Sequence, residues 1–191
     1  MNLRLILLFL LSALISCQED NLDDEVLEPL ECLNNGNDNG TDNQKMGTPC
    51  IDGFAGKYPC KGYDLLAHID LSTLGSGQGN DCWGWTDSST GKEYVLMGLD
   101  NGTAFVDINE STNPILIGKL PTTTENSSWR DIKVYDNHAY IVSEADSHGV
   151  QVFDLTRLRE ANPPENFSPD RVLQTVPTAH NMVVNPDSGY G

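Results

Sequence analysis

Short runs of alternating apolar and polar residues recur along the chain from residue 80 onward, and they recur in a fixed order. Three of these runs start with a polar pair at intervals of 50 residues, at Asn80, Arg130 and His180. The later runs of the first two repeats also match: 93–98 with 138–143, 102–108 with 149–155, and 114–121 with 170–177. Because turn-forming residues separate the runs, each repeat predicts four short strands. A short helix is expected at 156–161, before the fourth strand of the second repeat.

Four strands in a repeat of about 50 residues are typical of a β-propeller blade. A two-sheet sandwich is the alternative, but it does not require matched polar pairs at constant spacing. We therefore predict an all-β fold, a β-propeller with four-stranded blades that is incomplete in this chain. Its expected parts are a closing strand at 64–71, a blade at 80–121, a blade at 130–177, and the start of the next blade at 180–191. A ring takes about 4–8 blades, so 50–191 is expected to be the N-terminal part of a propeller.

The first 17 residues have the pattern of an export signal. Arg4 precedes an apolar run from Leu5 to Ile15, which is too short for a bilayer span of about 20 residues. The run ends in Leu-Ile-Ser-Cys, which resembles the bacterial lipobox, where the Cys thiol receives a diacylglycerol. We predict a signal peptide at 1–16 and lipidation of Cys17. The alternative is an ordinary signal peptide in which Cys17 has no role.

Residues 17–49 are predicted to form a lipidated, acidic and flexible tether. The stretch 18–44 contains nine acidic residues and no Lys or Arg, so its charges repel one another and extend the chain. Its opening, Cys17-Gln18-Glu19-Asp20, resembles the signal that sends Bacteroidetes lipoproteins to the outer surface. We expect an export route that ends in the outer membrane, with the protein facing the cell surface. A periplasm-facing spacer is the alternative.

The cysteines that follow Cys17 are even in number: Cys32, Cys50, Cys60 and Cys82. In an exported chain an even number suggests disulfides. Cys50 and Cys60 bracket a short loop containing Gly and Pro, and we predict that they pair. Cys32 and Cys82 are the remaining pair, although Cys32 lies in the tether. The spacing lacks the C-x-x-C and paired His of a zinc site.

Composition excludes one class of partner. The chain carries 28 acidic residues against 11 Lys and Arg, a formal charge of −17, whereas nucleic acid is bound by basic patches. We therefore expect no nucleic-acid partner. The expected partners are the membrane, through the N-terminal lipid, and a protein or glycan ligand at the cell surface.

Several motifs between residues 50 and 191 are similar to those of one known family. They are Cys50-x-x-Gly53-x-Ala55-Gly56-x-Tyr58-Pro59-Cys60, Asn80-Asp81-x-Trp83-Gly84-Trp85-Thr86-Asp87, Gly102-Thr-Ala-Phe-Val-Asp107, Ser128-Trp-Arg-Asp-Ile-Lys133, Gln151-Val-Phe-Asp154 and Ala179-His-Asn181. Together they resemble the choice-of-anchor B family, surface proteins built of LVIVD-type propeller repeats. The resemblance implies a surface-anchored propeller and brings no established reaction with it.

In a propeller the first strand of each blade lines the central channel, so the three polar pairs are expected to meet near its mouth. The candidate ligand-binding residues are Asp81, Arg130, Asp131, His148, His180 and Asn181. Converging His, carboxylate and Arg groups are typical of a ligand site. A metal, if present, would take Asp81, Asp131, His148 and His180, but no metal or cofactor is assigned. The alternative is that these groups hydrogen-bond the backbone between blades.

Two functional interpretations follow. The first is a cell-surface lipoprotein whose propeller binds a protein or glycan. The alternative is an extracellular, polymer-acting hydrolase or lyase that uses Asp81, Asp131 and His180 at the channel mouth. No catalytic residue is assigned, because the sequence has no G-x-S-x-G, phosphate-loop, dinucleotide or H-E-x-x-H motif. Trp83, Trp85 and Trp129 are expected in the blade cores, with a sugar-stacking platform as the alternative.

Overall fold

The structure is a computed structural model that describes residues 47–191. The predicted signal peptide, Cys17 and nearly all of the predicted tether lie outside the described residues. Within 47–191 the fold is nearly all β, which confirms the predicted class. Strands β1 (Phe54–Ala55) and β2 (Tyr58–Pro59) form a small hairpin. Two larger sheets follow it in the chain.

Sheet I contains four antiparallel strands in chain order and one short parallel strand at its edge. The antiparallel strands are β3 (Gly79–Thr86), β4 (Glu93–Leu99), β5 (Gly102–Asp107) and β6 (Ile115–Pro121). The parallel strand is β10 (Glu165–Asn166), which pairs with β6. The predicted strands of the first repeat are thus present.

Sheet II contains the four antiparallel strands of the second repeat. They are β7 (Arg130–Tyr135), β8 (His138–Ser143), β9 (Val150–Asp154) and β11 (Arg171–Leu173). A 3-10 helix at Leu155–Glu160 precedes the fourth strand, where the sequence predicts a short helix. Asp154 caps this helix by accepting a hydrogen bond from the Thr156 backbone N–H, a role that suits a short acidic side chain.

A tight turn explains the close pairing of β7 and β8. Asp136 and Asn137 have φ values of 47° and 59°, the left-handed conformation that a two-residue hairpin needs. Asn and Asp tolerate this conformation better than other non-glycine residues. Turn-forming residues therefore separate the first two strands of the second repeat, as the sequence predicts.

Sheets I and II have the same pattern of strand pairing. The pairing aligns β4 with β8 one residue away from the alignment that the sequence suggests. Cys82 lies opposite Met97 in sheet I, and Ile132, 50 residues after Cys82, lies opposite Ile141 in sheet II. Met97 therefore corresponds to Ile141, whereas the sequence alignment matches it with Val142. That alignment is wrong by one residue, because the β3–β4 and β7–β8 connections differ in length and residue type does not locate the gap.

The main hydrophobic core lies between sheets I and II. Phe105 of β5 stacks on Phe153 of β9 with ring centroids 4.8 Å apart, and both contact the edge of Phe167. Leu96 and Ile141 are fully buried in the same cluster. Burying such large side chains from both sheets makes them one packed unit.

The opposite face of sheet I shows why one predicted strand is absent. Residues 64–71 join no sheet, and their only bridge pairs Leu65 with Thr48. Ile69 and Leu71 instead pack against an apolar cluster on this face, which contains Val106. The segment lies across the sheet face and pairs with no sheet edge, and the closing strand at 64–71, whose partner strands are expected outside this sequence, stays a prediction.

Residues 180–191 also form no strand. The segment turns back on itself through hydrogen bonds between Asn185 and the residues Gly189 and Tyr190. The three sheets of the described region remain separate and open. The propeller therefore stays a prediction.

The disulfide predicted between Cys50 and Cys60 is present. It closes the loop that contains the β1–β2 hairpin, and a disulfide is typical of an oxidising, extracytoplasmic environment. Among residues 47–191, Cys82 is a free and exposed cysteine. Cys32, its predicted partner, lies outside the described residues.

Candidate functional site

A cleft of about 280 Å³ opens where β3 and β7 begin. It brings together the three polar pairs that recur at intervals of 50 residues, together with the residue that precedes β7. Its lining residues are Asn80, Asp81, Trp129, Arg130, Asp131, His180 and Asn181. We call this feature the polar cleft.

Two carboxylates at the polar cleft make the same hydrogen bond one repeat apart. Asp81 Oδ2 accepts from the backbone N–H of Ile132 at 3.0 Å, and Asp131 Oδ2 accepts from that of Met182 at 2.7 Å. Each bond joins residues 51 apart in sequence. The Asp of each first strand thus links its repeat to the backbone of the next one. This is the structural role that the sequence analysis gave as the alternative.

Lys133 occupies the space between the same two carboxylates. Its Nζ lies 2.5 Å from Asp131 Oδ1 and 3.7 Å from Asp81 Oδ2. It also lies 4.6 Å from the centroid of the Trp83 ring. Burial raises the pKa of Asp131, but hydrogen bonds from Lys133 and the Met182 N–H outweigh it, so this pKa is below its ordinary value. Asp131 is therefore ionised, and the ammonium group of Lys133 balances its charge.

Arg130 and His148 form a buried pair behind the polar cleft. Arg130 is 1% exposed; its Nε donates to the Leu99 carbonyl at 2.9 Å, and its Nη1 lies 3.0 Å from His148 Nε2. His148 Nδ1 lies 2.8 Å from the Gly149 carbonyl, which only accepts. Nδ1 therefore carries the proton and Nε2 accepts from Arg130.

Burial explains the protonation states of Arg130 and His148. It lowers the pKa of Arg130 to about 10 and lowers the pKa of His148, which the nearby Arg130 charge lowers further. Arg130 thus stays charged at neutral pH while His148 is neutral. His148 is fully buried, does not line the polar cleft and does not join the predicted set of metal ligands there.

His180 and Trp129 form the open side of the polar cleft. Their ring centroids are 4.7 Å apart, and His180 Nδ1 lies 2.6 Å from Glu144 Oε1. Trp129 is 49% exposed. Glu144 holds the Nδ1 edge of the imidazole, so the aromatic pair has a defined orientation at the cleft entrance.

Two of the three tryptophans depart from expectation. Trp85 is buried between the sheets and donates to Asn137 Oδ1, as a core residue should. Trp83 and Trp129 are exposed, and the prediction that they lie in blade cores is wrong. Trp83 points away from the intersheet core toward Lys133, and Trp129 precedes its strand.

No protein-family model, curated protein or solved structure matches this chain. Among residues 47–191, no group of three or more His, Cys, Asp or Glu side chains is arranged to hold a metal ion. The described part of the chain contains no helix with the length and hydropathy of a membrane span.

Sequence reasoning missed Lys133 and Glu144 in this region, did not choose Asn80 as a candidate, and gave Trp129 a ligand-binding role only as the alternative to a core position. Asn80 was part of a recognised polar pair, and its Oδ1 lies 3.5 Å from the Arg130 backbone N. Lys133 could have been found from alternation, because it lies two residues after Asp131 and so on the same face of β7. No local signal places Glu144 beside His180, since that contact joins two repeats.

Proposed function

We propose that this chain is a lipid-anchored cell-surface protein whose β-propeller domain binds a ligand at the polar cleft. One observation carries the proposal: three polar pairs from successive repeats meet at one cleft that is open to solvent. In a propeller the first strands of successive blades meet at the central channel, and converging polar groups are typical of a ligand site.

The propeller part of the proposal is supported by the relation between sheets I and II. Both contain four antiparallel strands in chain order, and they pack face to face around Phe105 and Phe153. The Asp81–Ile132 hydrogen bond joins the first repeat to the second, and the equivalent Asp131–Met182 bond joins the second repeat to the segment after it. These features, with the motifs similar to the choice-of-anchor B family, favour consecutive blades.

Anchoring and localisation are supported by the N-terminal pattern. A lipobox-like end at Cys17 and an acidic stretch after it favour a diacylglycerol anchor in the outer membrane, facing outward. The Cys50–Cys60 disulfide agrees with an exported protein.

Binding is favoured over hydrolysis because the carboxylates are already engaged. A general acid or base must be free to exchange a proton with its substrate. Asp131 accepts from Lys133 and from the Met182 N–H, and Asp81 accepts from the Ile132 N–H. The polar cleft therefore supports recognition without a reaction.

The anchor is tested by Cys17→Ser in the full chain, with Cys82→Ser as the control that makes the same change at a free, exposed cysteine. Cys17→Ser should abolish incorporation of labelled palmitate and should leave an uncleaved precursor or release the protein from membranes. Cys82→Ser should be labelled and processed like the wild type. Normal labelling of the Cys17→Ser protein would disprove the anchor.

The binding role is tested by photo-crosslinking on intact cells. A photoreactive residue replaces Asn181 in the polar cleft, and the same residue replaces the exposed Asn162 as a control. We expect an adduct from position 181 that is absent from position 162. If neither position yields an adduct, or both yield the same one, the polar cleft is not a binding site.

A further inference from the structure

The polar cleft combines an exposed aromatic face with polar groups that have no hydrogen-bond partner among residues 47–191. Trp129 exposes about half of its surface and is held against His180. Its indole N–H has no hydrogen-bond acceptor among residues 47–191, nor does the side chain of Asn181 have a partner there. Asn80 uses only its Oδ1, toward the Arg130 backbone, so its amide N–H groups are free.

We infer that the ligand is a neutral glycan, with one sugar ring stacked on Trp129. The inference rests on the proposed function and names the ligand class. The face of an indole ring is electron-rich, so it attracts the C–H groups on the flat face of a pyranose. The free amides of Asn80 and Asn181 then donate to and accept from neighbouring hydroxyl groups.

Charge disfavours an acidic ligand. Asp81, Asp131 and Glu144 lie at or beside the polar cleft, and the whole chain carries a formal charge of −17. Of the two cations of the region, Lys133 is bonded to Asp131, and Arg130 is bonded through Nε and Nη1 to the Leu99 carbonyl and His148, with its Nη2 unpartnered among residues 47–191. Because Arg130 is only 1% exposed, an anionic sugar at the cleft surface would meet the carboxylates before this guanidinium.

The same contacts disfavour a cationic ligand. Lys133 Nζ already lies against Asp131 and near Asp81, and it covers the Trp83 ring. A ligand ammonium would have to displace this lysine to reach the carboxylates. A neutral ligand needs no such displacement.

A peptide that adds a strand to β7 is also disfavoured. Strand addition needs the free N–H groups of an edge strand. The Ile132 N–H donates to Asp81, and the Arg130 N–H faces Asn80 Oδ1 at 3.5 Å. These side chains cap the part of the β7 edge that faces the polar cleft.

The size of the polar cleft agrees with a small binding element. Its volume of about 280 Å³ falls below the range of about 300–1000 Å³ for sites that enclose a drug-sized molecule. It therefore suits one sugar ring of a longer chain that continues into solvent.

The test is a glycan array probed with the full chain in detergent, as wild type and as variants. Trp129→Ala should reduce binding to neutral glycans at least tenfold, and Trp129→Phe should retain part of it, because the stacking face persists. Tyr63→Ala is the control, since it removes an exposed aromatic ring that does not line the polar cleft. Its binding should stay within twofold of the wild type. Near-UV circular dichroism verifies that each variant is folded.

The crosslink at position 181 separates this inference from the proposed function. A glycan adduct there supports both. A protein adduct, with no binding on the array, overturns the glycan inference and leaves the polar cleft as a binding site. Equal losses in Trp129→Ala and Tyr63→Ala, with both proteins folded, would also overturn the inference. The absence of any adduct and of any array binding overturns both.

Discussion

Asp81 and Asp131 illustrate how single side chains connect successive repeats. Each carboxylate accepts a hydrogen bond from a backbone N–H 51 residues further along the chain. A backbone donor that loses its partner away from water retains the full desolvation cost. These aspartates are therefore structural residues that also shape the walls of the polar cleft.

Asp81→Ala should destabilise the protein by about 1–3 kcal/mol, because the Ile132 N–H loses its acceptor. Asp81→Asn keeps an acceptor oxygen and should cost less. Urea unfolding followed by circular dichroism measures the difference. Asp146→Ala is the control, since it removes the same charge from an exposed position outside the repeat contact. Equal effects of Asp81→Ala and Asp146→Ala would contradict the structural role.

At the scale of elements, the contact between sheets I and II is made mostly by aromatic and branched side chains. Phe105 and Phe153 stack in its centre, and neither is exposed. Because each sheet buries its apolar face against the other, neither face is covered if the pair separates.

Phe105→Ala should lower the free energy of unfolding by about 3–5 kcal/mol, as large-to-small changes in a core do. Since Phe105 contacts Phe153, hydrogen exchange should speed up in β9 as well as in β5. Phe54→Ala, at a position that is 44% exposed, is the control and should change stability little. Faster exchange confined to sheet I would show that the two sheets unfold separately.

A second contact between elements joins the 3-10 helix to the β3–β4 loop. Arg159 makes two hydrogen bonds of 2.7 Å to the carboxylate of Asp87. These bonds, against the opposing effect of burial, hold the pKa of Asp87 well below its usual value of 3.8. A lowered folded-state pKa stabilises the fold at pH values above the unfolded pKa, and this stability is lost as the pH falls below it.

The wild type should therefore lose stability as the pH falls below about 4, the region of the unfolded pKa of Asp87. Arg159→Ala should show a smaller loss over the same range, because Asp87 no longer has its cation. Arg171→Ala removes the same charge from an exposed side chain and serves as the control. Thermal melting between pH 7 and pH 3 provides the comparison. Identical pH profiles for Arg159→Ala and the wild type would contradict the assignment.

At the scale of the whole molecule, the repeat period could be predicted, because strand alternation and polar pairs recur along the sequence. The Cys50–Cys60 disulfide could be predicted for a similar local reason. The position of residues 64–71 across the face of sheet I could not be predicted, because an alternating segment becomes a strand only where an unpaired sheet edge is available to it. The exposure of Trp129 depends on which residues of other repeats surround it, and the contact with His180 crosses 51 positions.

The central claim is that a ligand contacts Trp129 in the polar cleft, and the indole signals of the three tryptophans test it most directly. The full chain carries ¹⁵N-labelled tryptophan, and it is titrated with a neutral oligosaccharide selected on the glycan array. Trp85 is an internal reference, because its indole N–H is buried against Asn137. The account predicts that the Trp129 signal shifts in a saturable way while the Trp85 signal stays in place. Saturable binding that leaves the Trp129 signal unmoved would contradict it.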